Sequence, residues 1–223
     1  MKDVKDMTET TEATDTTDTT DTAKAKKPAP PLLGCYDDLA GTLDYAWAML
    51  ARGVKDRKSS FHTPTIATTG LDGTPRLRTV VLRGCDVTAG TLRFHTDRRS
   101  GKIAEFEKSP AAAIHIYDAQ SKIQLRLAAQ LRVLDGDAFA AAWSATRPMS
   151  RECYQVTTAP GAPIADPYEA GFDAAASQEG ELYFAPVEAA VTSIEWLYLA
   201  ARGHRRARFE LTGDTPQMTW LVP

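Results

Sequence analysis

Residues 65–84 read TIATTGLDGTPRLRTVVLRG, and the period of this stretch decides the fold. Upstream, Leu39, Leu43, Ala46, Trp47 and Leu50 recur at helical spacing, which predicts a helix over residues 37–52 with Gly53 able to cap its end. From Pro64 the period drops to two. The stretch predicts a strand, a turn at Gly70–Gly73 and a second strand from Arg76 to Arg83. A turn at Ala89–Gly90 leads into TLRFHT (91–96), where Leu92, Phe94 and Thr96 share one face and Arg93 and His95 the other. AAAIHIY (111–117) and KIQLRLAAQLRV (122–133) are two further strands, the second with Ile123, Leu125 and Leu127 on one side and Gln124, Arg126 and Ala128 on the other. AAVTSIEWLYLA (189–200), HRRARFEL (204–211) and MTWLV (218–222) extend the pattern to the C-terminus. A short helix is expected from Ser100 to before Ser109-Pro110, and another over GDAFAAAWSATRP (136–148). Strands outnumber helices and most connections are short, so the expected architecture is mainly β: one antiparallel β-barrel or strongly curved sheet with peripheral helices.

Residues 1–31 contain no aromatic residue and almost nothing apolar, so they are expected to be a disordered Thr/Asp-rich tail ahead of a single domain at 32–223. The stretch 157–180, rich in Ala, Pro and Gly, is expected to run over the surface or across a partner.

The 223 residues are 43% hydrophobic and 25% charged, with a net charge of -3. These values suit a globular protein handling small molecules rather than one coating nucleic acid or anionic membrane. The sequence contains no run of about 18 apolar residues and no basic-then-apolar leader, which predicts a cytoplasmic protein. Three cysteines without C-x-x-C spacing predict reduced, partly buried thiols, and four scattered histidines predict no metal site. No Ser-His-Asp or Cys-His arrangement nominates a catalytic side chain.

The charge pattern is more specific. FHTDRRSGKIAEF (94–106) places Arg98, Arg99 and Lys102 around Ser100 at an expected helix start, where free N–H groups already favour negative charge. A solvated helix start would explain this, and so would a phosphate pocket. In RLRTVVLRG (76–84), a continuous strand would place Arg76 and Arg78 on one face with Val80 and Leu82. An anion held there by guanidinium groups would reconcile the burial of both kinds of residue.

Taken in order, RLRTVVLRG, RFHTDRRSGK, SP, IQLRL, the RP after a helix, and an arginine-rich C-terminal strand with a later Trp and Pro resemble the FMN-binding split barrels of the pyridoxamine 5'-phosphate oxidase type. The resemblance runs from about Thr63 to Pro223. The family's R-x-V-L-L-K falls on Arg78, Thr79, Val80, Val81, Leu82 and Arg83. Its F-Y-T-N falls on Phe94, His95, Thr96 and Asp97, and its S-R-K on Ser100, Gly101 and Lys102, with Arg98 or Arg99 able to replace the arginine missing at Gly101. Its R-Q-V glutamine falls on Gln124 and its D-R-F arginine on Arg208. The resemblance implies FMN as cofactor, with Arg78, Lys102 and Arg208 on the phosphate, Gln124 near the flavin ring and Arg83 tuning it, and an FMN-bridged homodimer.

For substrate contact the resemblance points to Trp143, Arg147 and Ser150, although Ser150 falls one residue early. It also points to His204, Arg205 and Arg206, where the family's R-x-H has its charge types reversed. It implies an oxidase that takes a hydride from a small amine or other reduced substrate, with O₂ as acceptor. A sister branch of unassigned substrate fits AWSATRP and APGAP better, so pyridoxamine 5'-phosphate is expected to be a poor substrate. The alternatives are a flavin reductase fed by a nicotinamide cofactor and a protein that holds flavin without turnover.

Overall fold

The strand expected over Arg76–Arg83 is broken, and the break organises the molecule. The structure, a computed structural model, describes residues 33–170, 180–200 and 203–223. The expected tail and part of the 157–180 excursion lie outside them. Strand β1 (Thr65–Thr69) pairs antiparallel with β2 (Pro75–Thr79), which stops at Thr79. After Val80 and Val81 the chain begins β3 (Leu82–Asp86), which pairs not with β1 but with β4 (Thr91–Asp97). The remaining strands are β5 (Ala111–Asp118), β6 (Ile123–Val133), β7 (Phe184–Tyr198), β8 (Arg205–Glu210) and β9 (Gln217–Leu221).

They form one nine-stranded sheet in the order β2-β1-β5-β6-β7-β4-β3, with β8 added to β7 and β9 to β8. Thus β2 and β3 stand at opposite ends of the main path yet are joined by two residues, which reach at most about 11 Å from Thr79 to Leu82. The sheet must therefore curl until its ends meet. The ends approach without a β2–β3 ladder among the described pairings, so the barrel stays unclosed. Strand β7 makes the fork. One edge pairs with β6, while the other is shared between β4 over Phe184–Ala190 and β8 over Ser193–Tyr198.

The break also resolves the conflict of faces. With the strand interrupted, Leu82 turns into the core at 2% exposure while Arg76 and Leu77 stay outside. No anion is needed to reconcile them. The core is the inward face of the curled sheet: Leu92 and Phe94, Ile114 and Ile116, Ile123, Leu125 and Leu127, Ile194 and Trp196, and Phe209 are all essentially inaccessible. Each such side chain contributes roughly 1.5–3 kcal/mol by leaving water.

Helix α1 (Leu39–Lys55) starts at Asp38, whose carboxylate accepts from the Gly41 N–H at 2.7 Å, and buries the predicted Leu43, Ala46, Trp47 and Leu50. It runs through Gly53 rather than ending there. A Cβ at Gly53 would lie 2.6 Å from the Phe61 carbonyl, so this glycine serves close approach and not capping. The Gly53 carbonyl accepts from His62 Nδ1 at 2.6 Å, which fixes the end of α1 against the following turn. The other described α-helices are α2 (Gly101–Lys108), α3 (Gly136–Ala145), α4 (Pro148–Arg151) and α5 (Gly180–Tyr183).

Candidate functional site

The β2–β3 break, the end of β4 and the start of α2 enclose a cavity of about 620 Å³. The break contributes Arg78, Thr79, Val80, Val81 and Arg83; β4 contributes His95 and Thr96; the α2 start contributes Ser100, Gly101 and Lys102. Tyr154, Pro160 and Gly161 close it from the loop beyond α4.

Ser100 occupies the N-cap position of α2, but its hydroxyl makes no bond to the helix N–H groups. Its Oγ instead accepts from Lys102 Nζ at 2.6 Å, and the same ammonium donates to Thr96 Oγ1 at 2.9 Å. Burial, reinforced by the Arg78 charge, holds the Lys102 pKa below the ordinary lysine value. Its hydrogen-bond partners are therefore two neutral hydroxyls, at the positive end of a helix dipole. Nothing lies within 4 Å of where a Cβ of Gly101 would stand. A desolvated cation with neutral partners beside an open helix start suits a phosphate group, so the residues present fit the phosphate end of FMN.

Arg78 is aimed by an acid that the sequence pattern did not single out. Glu105, buried on α2, accepts from Arg78 Nη2 at 2.5 Å and from Thr68 Oγ1 at 2.5 Å, and Arg78 also donates to the Thr68 hydroxyl. Burial pushes the Glu105 pKa up, but the bonds from Thr68 and Arg78 outweigh it and leave the carboxyl below its usual range.

Arg99 does not take the place of the arginine missing at Gly101. Its guanidinium binds the Asp97 carboxylate at 2.7 and 3.0 Å, reaches the Val156 and Thr157 carbonyls and lies 3.5 Å from the Tyr183 ring centroid. It is spent on pinning the 156–157 loop. Gln124 and Arg208 are also absent from the cavity wall. Gln124 sits on β6 between Tyr117 and Leu197. Arg208 lies on β8 beside Glu195, which also binds Arg126 at 2.5 Å and Arg206 at 2.8 Å.

A second chamber of about 320 Å³ shares Arg83 and His95 with the first. His95 packs edge-on to Phe184, its Nε2 is buried without a partner, and burial together with the Arg93 and Arg83 charges pushes its pKa down to about 4. The imidazole is neutral at physiological pH. Arg147 and Ser150 both line this chamber. Arg147 caps α4 and its carbonyl accepts from the Ser150 N–H at 2.8 Å, so the early arrival of Ser150 does not carry it off the wall. Trp143 stands behind, packed on Phe184 and Tyr154 under the Arg151 guanidinium. His204, Arg205 and Arg206 line neither chamber: His204 Nδ1 accepts from the Ala200 N–H, Arg205 pairs with Asp37, and Arg206 pairs with Glu195. Sequence reasoning missed Glu105, Tyr154, Pro160 and Gly161, and on the second chamber Lys55, Arg57 and His62; Arg93 was noted only as a strand cation.

Comparison with known proteins bears on these residues directly. Residues 45–135 match the family described as pyridoxamine 5'-phosphate oxidase, FMN-binding domain. This stretch is an FMN-binding domain of the pyridoxamine 5'-phosphate oxidase family. The cofactor is FMN. Pyridoxine/pyridoxamine 5'-phosphate oxidase 2 of Arabidopsis thaliana is 32% identical over 98 residues, covering 43% of this chain and 50% of the relative, so the match spans half of that protein's length. Two crystal structures share the split-barrel fold at 21% identity each. A pyridoxamine 5'-phosphate oxidase-related, FMN binding protein of Nostoc punctiforme superposes with a TM-score of 0.66 over 80% of this chain and 96% of its own. PhzG of Burkholderia lata, in complex with tetrahydrophenazine-1-carboxylic acid, superposes with a TM-score of 0.67 over 86% and 98%. The matched FMN-binding stretch contains every first-cavity residue from Arg78 to Lys102, whereas Arg147, Ser150 and Arg208 lie beyond it.

Proposed function

We propose that the chain is a cytoplasmic, homodimeric FMN-dependent oxidoreductase that oxidises a small reduced substrate, such as an amine, with O₂ as acceptor. The observation that carries this reading is the convergence of Arg78, Ser100 and Lys102 on one cavity contiguous with a second, ligand-sized chamber through Arg83 and His95. Bound FMN would supply the redox chemistry, carrying two electrons from the substrate to O₂, which with two protons becomes hydrogen peroxide. The chain's own residues bind and orient. Lys102, Ser100 and Arg78 hold the phosphate, Val80 and Val81 give the flavin an apolar wall, and neutral His95 stands between flavin and substrate chambers as an uncharged hydrogen-bonding group.

Gln124 and Arg208 lie off the cavity in one chain, and this favours a second copy bringing them to the flavin. Arg206 would then approach the substrate from the same partner. Pyridoxamine 5'-phosphate fits poorly on this reading, since Trp143 is packed away from the chamber and the C-terminal charge order is reversed.

The test is aerobic turnover of the FMN-loaded protein, with hydrogen peroxide and flavin absorbance followed together. Peroxide release with a primary amine or a dihydro-aromatic substrate supports the proposal. Rapid flavin reduction by NADPH would instead identify a nicotinamide-fed reductase. A flavin that no substrate reduces would identify a holder. A kcat/KM of about 10⁴ M⁻¹s⁻¹ or more on pyridoxamine 5'-phosphate would restore the simple oxidase assignment.

A further inference from the structure

The second chamber gathers five cations on its wall, against three around the first. Lys55 and Arg57 reach it from the end of α1, Arg83 from β3, Arg93 from β4 and Arg147 from the cap of α4, and no carboxylate lines it. Most other described arginines are paired. Arg52, Arg76, Arg78, Arg99, Arg126 and Arg132 each meet a carboxylate, as do Arg205, Arg206 and Arg208. Arg151 donates to backbone carbonyls. The described arginines whose side chains bond no other described residue are Arg57, Arg83, Arg93, Arg98 and Arg147, and all but Arg98 line this one chamber.

Two of the lining groups are orphaned in the interior. Arg93 Nε and His95 Nε2 are buried without a hydrogen-bond partner. The glycine at 84 makes room for the first: a Cβ there would stand 3.2 Å from Arg93 Nε. Cations gathered on one wall repel one another, and a buried guanidinium N–H without an acceptor is costly. An anion entering the chamber relieves the repulsion and offers the exposed guanidinium groups an acceptor, and five cations exceed what a single carboxylate neutralises. The volume of about 320 Å³ lies at the small end of ligand sites.

We propose that this chamber binds a small molecule carrying at least two anionic groups, carboxylate or phosphate, with Arg57 and Arg93 holding a group additional to the one at Arg147. Resting on the flavin reading above, this molecule is the substrate, presented to the flavin past Arg83 and His95, which wall both chambers.

The experiment is calorimetric titration of the full-length, FMN-loaded protein at fixed ionic strength. The probes are pyrophosphate and the dicarboxylates from malonate to adipate, with acetate as the single-charge control. At least one dianion should bind about tenfold or more tightly than acetate. Arg57→Ala, an exposed position that leaves the core intact, and Arg93→Gln should each weaken that dianion about three- to tenfold, without changing FMN uptake or acetate binding. Equal binding of all the anions, or a dianion affinity indifferent to both substitutions, overturns the proposal. So does a dianion that displaces FMN one for one, since the chamber would then be the flavin phosphate site. Dianion preference in a protein that takes up no flavin would leave the chamber standing and remove the flavin reading.

Discussion

Replacing Lys102 with Met should move flavin affinity and flavin-free stability in opposite directions. In the free protein Lys102 is a desolvated cation whose hydrogen bonds go to two neutral hydroxyls, and its lowered pKa records that the charged form is disfavoured there. Met keeps the length and apolar stem and removes the charge, so the flavin-free variant should melt at or above the parent temperature. The phosphate loses a charge-assisted hydrogen bond worth roughly 1.5–3 kcal/mol, or about ten- to a hundredfold in Kd. Riboflavin, which lacks the phosphate, should bind parent and variant alike. The pH dependence has a fixed sign. A lysine whose folded pKa lies below the unfolded value near 10.4 leaves the unfolded chain holding more protons between the two, so this group's destabilising effect eases as pH rises through that window. A bound phosphate favours the ammonium, so FMN affinity should fall over the same rise. Quenching of flavin fluorescence measures both ligands, and thermal melting measures the free protein. Equal losses for FMN and riboflavin, or a lower melting temperature with FMN affinity unchanged, would refute the phosphate role and leave Lys102 a structural residue.

Glu105→Ala strands the Arg78 guanidinium and the Thr68 hydroxyl; with the pair's side chains 20% and 12% exposed, urea unfolding should show a loss near the lower end of the buried-pair range, about 3 kcal/mol, and FMN affinity should fall with it. His95 is neutral in the fold down to about pH 4, so its contribution is fully present above the unfolded pKa near 6.5 and is lost as pH falls toward 4. The loss is at most about 3 kcal/mol, and His95→Gln should flatten the urea midpoint across that window. Sedimentation should give about twice 24.3 kDa, and Arg208→Ala should weaken FMN binding without lowering the flavin-free melting temperature; a tight FMN-binding monomer would contradict the shared site. Deleting residues 1–31 should leave FMN affinity and melting temperature unchanged, and a drop of more than a few degrees would show that they pack.

The strands were legible because each carries its core on alternate residues. Ile123, Leu125 and Leu127 are buried while Arg126 and Ala128 are exposed, which is the alternation read from the sequence. The break at Val80–Val81 left a trace in RLRTVVLRG, the clash of Arg76 and Arg78 with Val80 and Leu82 on one face, but that clash suits a bound anion as well as a broken strand, and the change of pairing partner, β1 before and β4 after, is not local. That pairing is decided by the return of the sheet upon itself, a long-range condition that no window of nine residues contains. Gly53 misled for the opposite reason. Its position near a helix end suits a cap, while its real constraint is Phe61, which arrives from the following turn. The phosphate side of the site was readable as a motif, since Ser100, Gly101 and Lys102 are consecutive and meet Arg78 across one cavity.

What decides the fate of each cation is its neighbour in space. Arg98 and Arg99 look equivalent in sequence, yet Asp97 and two loop carbonyls hold Arg99 off the wall of the first cavity. Arg93, Arg126 and Arg208 all lie on strands with alternating burial, yet Glu195 answers the last two and nothing described answers the first. On the β6–β7–β8 face, one buried carboxylate is shared by three guanidinium groups, so each of them has a hydrogen-bond partner within the chain. Around the second chamber the same residue type is left unpaired, although carboxylates are as abundant in the chain as cations. Unpaired guanidinium groups thus gather at the second chamber, whereas Arg78 lines the first while bound to Glu105, so it is the position of a guanidinium on a cavity wall, and not pairing alone, that separates ligand space from scaffold.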